Sequence, residues 1–149
     1  MLLRPPRASD LPALNEMILR SKAHWGYDDE FMAACEAELK LHPADIAATS
    51  IQCAFEGDEP VGVAQLSSEE GELHLEKLFV APGQMGKGIG RALMDWVVST
   101  ARIAGCCPII IEADPDAAPF YEHIGADRAG EAPSGSIPGR MLPRYELVV

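Results

Sequence analysis

Apolar and polar positions in the first half of the chain predict one strand, two helices and then three strands. Short apolar runs predict the strands and apolar residues at helical spacing predict the helices. The strands are expected at residues 2–4, 50–55, 61–66 and 72–80. Ser9 or Asp10 is expected to cap the first helix, and Asp28 or Asp29 the second. The turns between the last three strands are expected at residues 56–60 and 67–71.

The second half contains the clearest helical pattern. Apolar residues recur at helical spacing from Ile89 to Ala104, and Gly105 fits a C-terminal stop. The β-branched run at 108–113 then predicts a buried strand, so that two parallel strands flank a crossover helix. The remaining elements are expected to be a short helix at 116–123, a strand near 126–129, a loop at 130–140 and a strand at 145–149. Because hairpins precede a crossover, we expect a mixed sheet.

Composition narrows the class of protein. A chain of 149 residues that is 48% hydrophobic fits one domain, 1–149, with a substantial core. The net charge of −11 argues against a nucleic-acid-binding surface, although it would attract a cationic substrate. We expect a cytoplasmic protein without a membrane partner, because no apolar run approaches a membrane span of about 20 residues and the N-terminus lacks the apolar segment of a secretory signal.

The cysteines do not predict a metal site. Cys35, Cys53, Cys106 and Cys107 lack the C-x-x-C spacing of metal ligands. We therefore expect buried thiols in a reducing compartment and no bound metal.

A glycine-rich turn follows the strand that ends at Val80. Gly86, Gly88 and Gly90 alternate where the next helix should begin. Glycine lets a ligand approach the backbone, and the first N–H groups of a helix are unpaired and carry partial positive charge, so the turn predicts a phosphate site. The turn lacks the spacing of a P-loop and is one residue shorter than the dinucleotide fingerprint.

Two segments resemble the signatures of the GNAT (GCN5-related) N-acetyltransferases. The glycine turn resembles their acetyl-CoA pyrophosphate loop, Q/R-x-x-G-x-G/A, with Met85 at the usual Gln/Arg position. Residues 114–126 resemble N-x-x-A-x-x-F-Y-x-x-x-G-F. The matching positions are Ala117, Phe120, Tyr121 and Gly125, whereas Asp114 and Ala126 stand where Asn and Phe are usual.

The resemblance implies a GNAT fold of the α/β (α+β) type. That fold has a mixed, mostly antiparallel central sheet of about six or seven strands, flanked by about four helices. The implied reaction is transfer of the acetyl group of acetyl-CoA to a primary amine of a small molecule, peptide or protein, by direct attack in a ternary complex. The implied cofactor contacts are Leu78, Phe79, Val80, Met85, Gly86, Lys87, Gly88, Ile89, Gly90, Arg91, Asp114, Phe120 and Tyr121. A homodimer is left open.

The resemblance also implies acid and base residues. A primary amine with a pKa near 10.4 is mostly ammonium at neutral pH, so a base is needed. Glu76, three residues before Phe79, stands where the histone-acetylating branch carries its base. His74 has the same strand parity and is the rival base, and a water chain is a third alternative. Tyr121 is the implied general acid that points at the CoA sulfur.

The acceptor stays open at the level of sequence. The candidate acceptor residues are Trp25, Tyr27, His74 and Arg140. Trp25 and Tyr27 lie between the first two helices and would either contact an amine or a ring or fill the core. Arg140, in a Gly/Pro-rich loop, would suit a substrate carboxylate, whereas the acidic surface would suit a polyamine or peptide amine. Two alternative functions also remain: a non-catalytic acyl-CoA-binding or regulatory module of the same fold, and an acyltransferase that uses another acyl-CoA or a hydroxyl acceptor.

Overall fold

The computed structural model describes residues 1–105 and 108–149. Cys106 and Cys107 lie outside the described residues, whereas Cys35 and Cys53 are buried free thiols. The strands are β1 Leu2–Arg4, β2 Ser50–Glu56, β3 Glu59–Glu69, β4 Glu72–Val80, β5 Ile109–Glu112, β6 Asp127–Pro133 and β7 Met141–Leu147. The α-helices are α1 Leu11–Ala23, α2 Asp29–Leu39, α3 Pro43–Ala48, α4 Ile89–Ala104 and α5 Ala118–His123.

The seven strands form one sheet in the order β1-β2-β3-β4-β5-β7-β6. Among the pairings of the described strands, β4 with β5 is parallel, and each of the others is antiparallel. The parallel pair flanks α4, as a crossover connection requires. The prediction of a mixed, mostly antiparallel sheet is confirmed, with five α-helices in the described part of the chain rather than about four.

The structure confirms some of the predicted helix ends and contradicts one. The Asp28 side chain accepts a hydrogen bond from the backbone N–H of Phe31 at 2.8 Å and caps α2. Gly105 has φ of 70° and ends α4 in the left-handed region, as predicted. Asp10 precedes α1 without capping it, because its carboxylate is engaged by the Arg4 guanidinium and by the backbone N–H of Arg7.

Helices α1 and α4 both pack on the central strands β3 and β4. Leu14 and Ile18 of α1 and Leu93 of α4 are completely buried. Burial of such a side chain stabilises the fold by about 1.5–3 kcal/mol. Gly62 of β3 permits the close approach of α4, because a Cβ there would lie 2.8 Å from Cγ2 of Ile89. This contact fixes the start of α4 against the sheet.

A β-bulge interrupts the pairing of β3 with β4. Gln65 lies opposite Lys77 and Leu66 lies opposite Leu75, so Glu76 is the extra residue. Bulges re-aim side chains and are frequent beside active sites. The alternation assumed from sequence therefore does not continue through Glu76.

Strands β4 and β5 diverge at the same level. They pair from Leu73 to Leu75 on β4 and from Ile109 to Ile111 on β5. Beyond Leu75, β4 continues to Val80, and no further pairing with β5 occurs within the described chain. The divergence opens a gap at the carboxyl ends of the two strands, where ligands bind in sheets with parallel strands.

Several boundaries differ from the sequence prediction, and one helix was not predicted. The turn expected at 56–60 narrows to 57–58, because β2 ends at Glu56 and β3 begins at Glu59. Strand β3 runs to Glu69, so the turn expected at 67–71 narrows to 70–71, and Glu70 there has φ of 51°. Strand β6 runs to Pro133, so the loop expected at 130–140 begins later. Strand β7 begins at Met141 rather than at 145. Helix α3 was not predicted, because its six residues are too few to show a helical period.

Candidate functional site

A cavity of about 670 Å³ occupies the gap between β4 and β5. Its walls come from α1, α2, the end of β4, the glycine turn, the residues after β5, α5 and the loop between β6 and β7. Its volume is that of a typical small-molecule or cofactor site. The glycine turn and the residues after β5, far apart in the sequence, thus border the same cavity.

The glycine turn forms one end of this cavity. Gly86 and Gly88 have φ of 80° and 82°, a conformation that favours glycine. A Cβ at either position would meet no protein atom within 4 Å, so the space above the turn is open. Gly88 is the N-cap of α4, so no side chain caps the N-terminus of this helix. The turn therefore presents unpaired N–H groups and fits a pyrophosphate.

The side chains around the turn divide into two groups. Met85 and Arg91 line the cavity, as does Gln84, which was not predicted as a contact. Lys87 does not line the cavity, and its Nζ donates to Oε1 of Gln84 at 3.3 Å. The predicted contacts Leu78, Phe79, Val80, Gly86, Gly88, Ile89, Gly90 and Phe120 all lie on the cavity wall.

The bulge places Glu76 on the cavity wall. Its side chain is exposed, and its Oε1 accepts a hydrogen bond from Oγ of Ser67. The neighbouring Lys77 also lines the cavity, and burial lowers the pKa of its ammonium. His74 does not line the cavity and lies 3.9 Å, Nε2 to Oε2, from Glu69. Of the two candidate bases, Glu76 is the one that borders the cavity.

The ring of Tyr121 is buried between Phe120 and Tyr145, with centroid distances of 5.4 Å and 6.4 Å. In the part of the chain that the structure describes, its hydroxyl has no hydrogen-bond partner, and no fully enclosed side-chain polar atom is unsatisfied. The hydroxyl therefore opens onto the cavity that Tyr121 lines. Burial, and then the charge of Asp114, raise the pKa of Tyr121 above its ordinary value, so that the phenol stays protonated at neutral pH.

Four polar side chains, Lys22, Tyr27, Asp114 and Arg140, form what we term the Asp114 cluster. Nζ of Lys22 lies 2.5 Å from Oδ2 of Asp114, and the Tyr27 hydroxyl donates to the same oxygen at 2.8 Å. Nη2 of Arg140 donates to the Tyr27 hydroxyl at 2.8 Å and lies 3.6 Å from Asp114. The cluster joins α1 to Asp114, two residues after the end of β5, and to the loop before β7.

The cluster shifts the ionisation of its members. Burial opposes ionisation of Asp114, but hydrogen bonds from Lys22, from the backbone N–H of Asp116 and from Tyr27 outweigh it, so its pKa lies below the ordinary value. Burial, and then the hydrogen bond to Asp114, raise the pKa of Tyr27. Asp114, a predicted cofactor contact, is thus an ionised anchor for Lys22 and Tyr27 at neutral pH.

The predicted acceptor residues differ in position. Trp25 lines the cavity and is 42% exposed. Arg140 lines the cavity, whereas Tyr27 does not and reaches it through Arg140. Sequence reasoning did not single out Lys22, although its position four residues after the buried Ile18 places it on the apolar side of α1. A lysine on the apolar face of a predicted helix was the sequence signal that could have indicated a buried ion pair.

None of the helices in the described part of the chain is long and apolar enough to cross a membrane. No group of three or more His, Cys, Asp or Glu side chains in that part of the chain is arranged to hold a metal ion.

Comparison with known proteins connects this geometry to an acetyltransferase family. The model of the acetyltransferase (GNAT) family matches residues 13–126. A glucosamine 6-phosphate N-acetyltransferase of Trypanosoma brucei brucei is 35% identical over 52 residues, which are 35% of each chain. A peptidyl-lysine N-acetyltransferase, YjaB of Salmonella typhimurium, is 30% identical over 91 residues, which are 61% of this chain and 58% of that protein. The matches therefore span less than two thirds of these relatives.

Solved structures share the fold over the whole chain. The PaiA N-acetyltransferase from Thermoplasma acidophilum, solved in complex with coenzyme A, has a TM-score of 0.83 and 17% identity, and the match covers 99% of this chain and 98% of that one. A GCN5-related N-acetyltransferase from Rhodopseudomonas palustris has a TM-score of 0.81 and 21% identity, with coverage of 99% and 95%. At these identities the likeness establishes the fold.

Proposed function

The chain belongs to the acetyltransferase (GNAT) family, and from that premise we propose that it is an N-acetyltransferase that moves the acetyl group of acetyl-CoA to a primary amine. One observation carries the proposal. The glycine turn, the carboxylate of Glu76 and the hydroxyl of Tyr121 border the same cavity. An anion cradle, a base and an acid around one cavity fit acyl transfer to an amine.

The glycine turn and the end of β4 are the proposed binding surface for the donor. Acetyl-CoA supplies a thioester that is reactive toward amines. The N–H groups at the start of α4 would hold its phosphates, and the cavity-lining Arg91 would add a positive charge. The backbone of β4 beyond Leu75, which β5 leaves unpaired, would hold the extended arm.

Glu76 is the proposed base. Removal of a proton from an alkylammonium with a pKa near 10.4 costs about 4–5 kcal/mol at pH 7. Glu76 accepts that proton directly or through water, and the Ser67 hydroxyl orients its carboxylate. Glu76 is preferred to His74 because Glu76 lines the cavity and His74 does not.

Tyr121 is the proposed acid. A tyrosine hydroxyl with its ordinary pKa near 10 is protonated at neutral pH, and burial raises the pKa of Tyr121 further. The Tyr121 hydroxyl faces the cavity without a competing hydrogen bond from the described residues, so it is free to donate that proton to the leaving sulfur. Proton donation of this kind contributes about 10²–10⁴-fold to a reaction rate.

A panel of primary amines, assayed for CoA release from acetyl-CoA, tests the proposal. We expect release with at least one amine, and we expect acetyl-CoA alone to raise the melting temperature by stabilising the folded state. A flat thermal-shift titration would contradict the proposed binding site. Binding without release from any amine would instead indicate the non-catalytic module. Parallel assays with propionyl-CoA, succinyl-CoA and alcohols test the other acyltransferase classes.

A further inference from the structure

The Arg140 guanidinium has donors that the protein does not use. One of its N–H groups donates to the Tyr27 hydroxyl. Nε and Nη1 have no acceptor among the described residues, and no enclosed polar atom there is unsatisfied, so these nitrogens are open to the cavity that Arg140 lines. A guanidinium has five N–H donors in a rigid fork that matches the two oxygens of a carboxylate or phosphate.

Asp114 does not use these donors because its oxygens are already engaged. Lys22 and the Tyr27 hydroxyl approach Oδ2 at 2.5 Å and 2.8 Å, and the backbone N–H of Asp116 donates to Oδ1 at 2.9 Å. The Arg140 nitrogen is 3.6 Å from Asp114, which is beyond hydrogen-bond distance. The carboxylate is therefore hydrogen-bonded to Lys22 and only a more distant ion-pair partner of Arg140, whose Nε and Nη1 keep their donors.

The guanidinium is held in place before any ligand arrives. Its Cζ lies 4.8 Å from the ring centroid of Phe31 and 5.3 Å from that of Tyr27, and these two rings are stacked 4.0 Å apart. Only 19% of the Arg140 side chain is exposed. A positioned cation that keeps its donors free requires little reorganisation to bind an anion.

The same cavity carries negative charge elsewhere on its wall. Glu76 lies on the bulge of β4, and Glu38 lies on α2, where it accepts a hydrogen bond from Ser136. An ammonium group is attracted to these carboxylates and repelled by Arg140 and by Lys77, which also lines the wall. An acceptor that pairs with both the carboxylates and Arg140 has an amine at one end and an anionic group at the other.

We infer that the acceptor is a small primary amine that also carries an oxyanion, a carboxylate or a phosphate, and that Arg140 binds this oxyanion while the amine lies at Glu76. The inference rests on the proposed function, because it assigns the two ends of the acceptor of that reaction. It separates such acceptors from polyamines and from lysyl peptides without a nearby anion. These lack a partner for Arg140 and bring a further cation toward it.

Matched pairs of acceptors test the inference. ω-Amino acids of increasing chain length are compared with their uncharged amides, and glucosamine 6-phosphate is compared with glucosamine, each by CoA release. Hydrogen bonds to charged groups correspond to about tenfold or more in binding. We expect KM for one anionic class to be lower than for its neutral partner by at least that factor. The comparison with ω-amino acids tests recognition of a carboxylate, and the comparison with glucosamine 6-phosphate tests recognition of a phosphate.

Variants locate the effect at Arg140. Arg140→Gln should abolish the preference by raising KM for the anionic acceptor, with little change for the neutral partner, and Arg140→Lys should restore part of it. Arg128→Gln is the matched control, since Arg128 lies on β6, interacts with Gly130 and Glu131, and does not line the cavity. This control should leave the preference intact.

A binding measurement separates failure of this inference from failure of the proposed function. Thermal-shift titration with N-acetyl-ω-amino acids, their amides and N-acetylglucosamine 6-phosphate reports on the anion site without turnover. A shift for an anionic compound but not for its neutral partner, lost in Arg140→Gln, supports the inference even if no amine releases CoA. Equal responses within every wild-type pair, or better turnover with spermidine, would overturn it while leaving N-acetyltransfer intact.

Discussion

Lys22 is a charged residue in a buried place, with 9% of its surface exposed and Asp114 as its ion-pair partner. Burial of a lone charge is costly, whereas a hydrogen-bonded pair is tolerated. Asp114 therefore stabilises the buried charge of Lys22, whether or not Asp114 also contacts a ligand. The two residues are 92 positions apart and join α1 to the carboxyl end of β5.

Replacement of Asp114 tests this dependence. We expect Asp114→Asn to lower the free energy of unfolding by about 3 kcal/mol, because the Lys22 charge loses its partner. Urea unfolding measures the difference, with exposed Asp127→Asn as the control. Since folding lowers the pKa of Asp114, its contribution is complete above its ordinary pKa of about 3.9 and is lost as pH falls through the folded value. A difference that persists unchanged well below that value would contradict the assignment.

Tyr121→Phe tests the proposed acid. The substitution removes the hydroxyl and retains the ring that packs between Phe120 and Tyr145. We expect turnover to fall by at least about tenfold because the leaving sulfur loses its proton donor, with little change in acetyl-CoA affinity. Steady-state kinetics and a binding titration measure the two quantities. Unchanged turnover would remove Tyr121 from the mechanism.

Glu76→Gln tests the proposed base and has a characteristic pH dependence. We expect kcat/KM at neutral pH to fall by about a hundredfold, since the acceptor ammonium loses its proton acceptor. The deficit should shrink as pH rises toward the amine pKa near 10.4, because free amine then needs no base. A pH–rate profile measures this, with Glu69→Gln, which lies outside the cavity wall, as the control. A deficit that is constant with pH would indicate a structural role instead.

At the scale of elements, the junction of β3 with α4 positions the glycine turn. We expect Gly62→Ala to cost about 1–3 kcal/mol, since its Cβ would lie 2.8 Å from Ile89 and 3.0 Å from Leu93. Acetyl-CoA affinity should also fall, because Ile89 is the first residue of α4. Denaturant unfolding and a thermal-shift titration measure the two effects. Gly83→Ala is the control, because a Cβ there meets nothing within 4 Å, and an equal loss in the control would exclude the packing explanation.

The elements also show what sequence can predict. The predicted bounds of β4 match the structure, and the predicted end of α4 at Gly105 is confirmed, since both depend on local patterns. The bulge at Glu76 was missed because it depends on the partner strand. The sequence signal for the bulge is the spacing of the leucines in β4. Leu73 and Leu75 are two residues apart, as in a regular strand, whereas Leu75 and Leu78 are three apart. The Asp114 cluster depends on contacts between elements that are distant in the sequence. Neither the spacing of apolar residues nor secondary-structure propensity predicts such contacts.

At the scale of the whole molecule, we propose that residues 1–149 fold as one unit. Buried residues from α1, α4 and strands β2 to β5 and β7 belong to one hydrophobic cluster. We expect urea unfolding followed by far-UV circular dichroism and by tryptophan fluorescence to coincide. Trp25 reports on the cavity wall and Trp96 on α4, and Trp25→Phe isolates the second signal. Separate transitions would divide the chain into independent units.

The position of β7 in the sheet has a consequence for synthesis of the protein. This strand lies between β5 and β6, although it follows both in the chain. A growing chain without residues 141–147 would leave one edge of β5 open and β6 without its partner, and open edges invite pairing with other chains. Arg140 lies immediately before β7, so the part of the cavity wall that Arg140 forms is in place only after β7 has paired with β5.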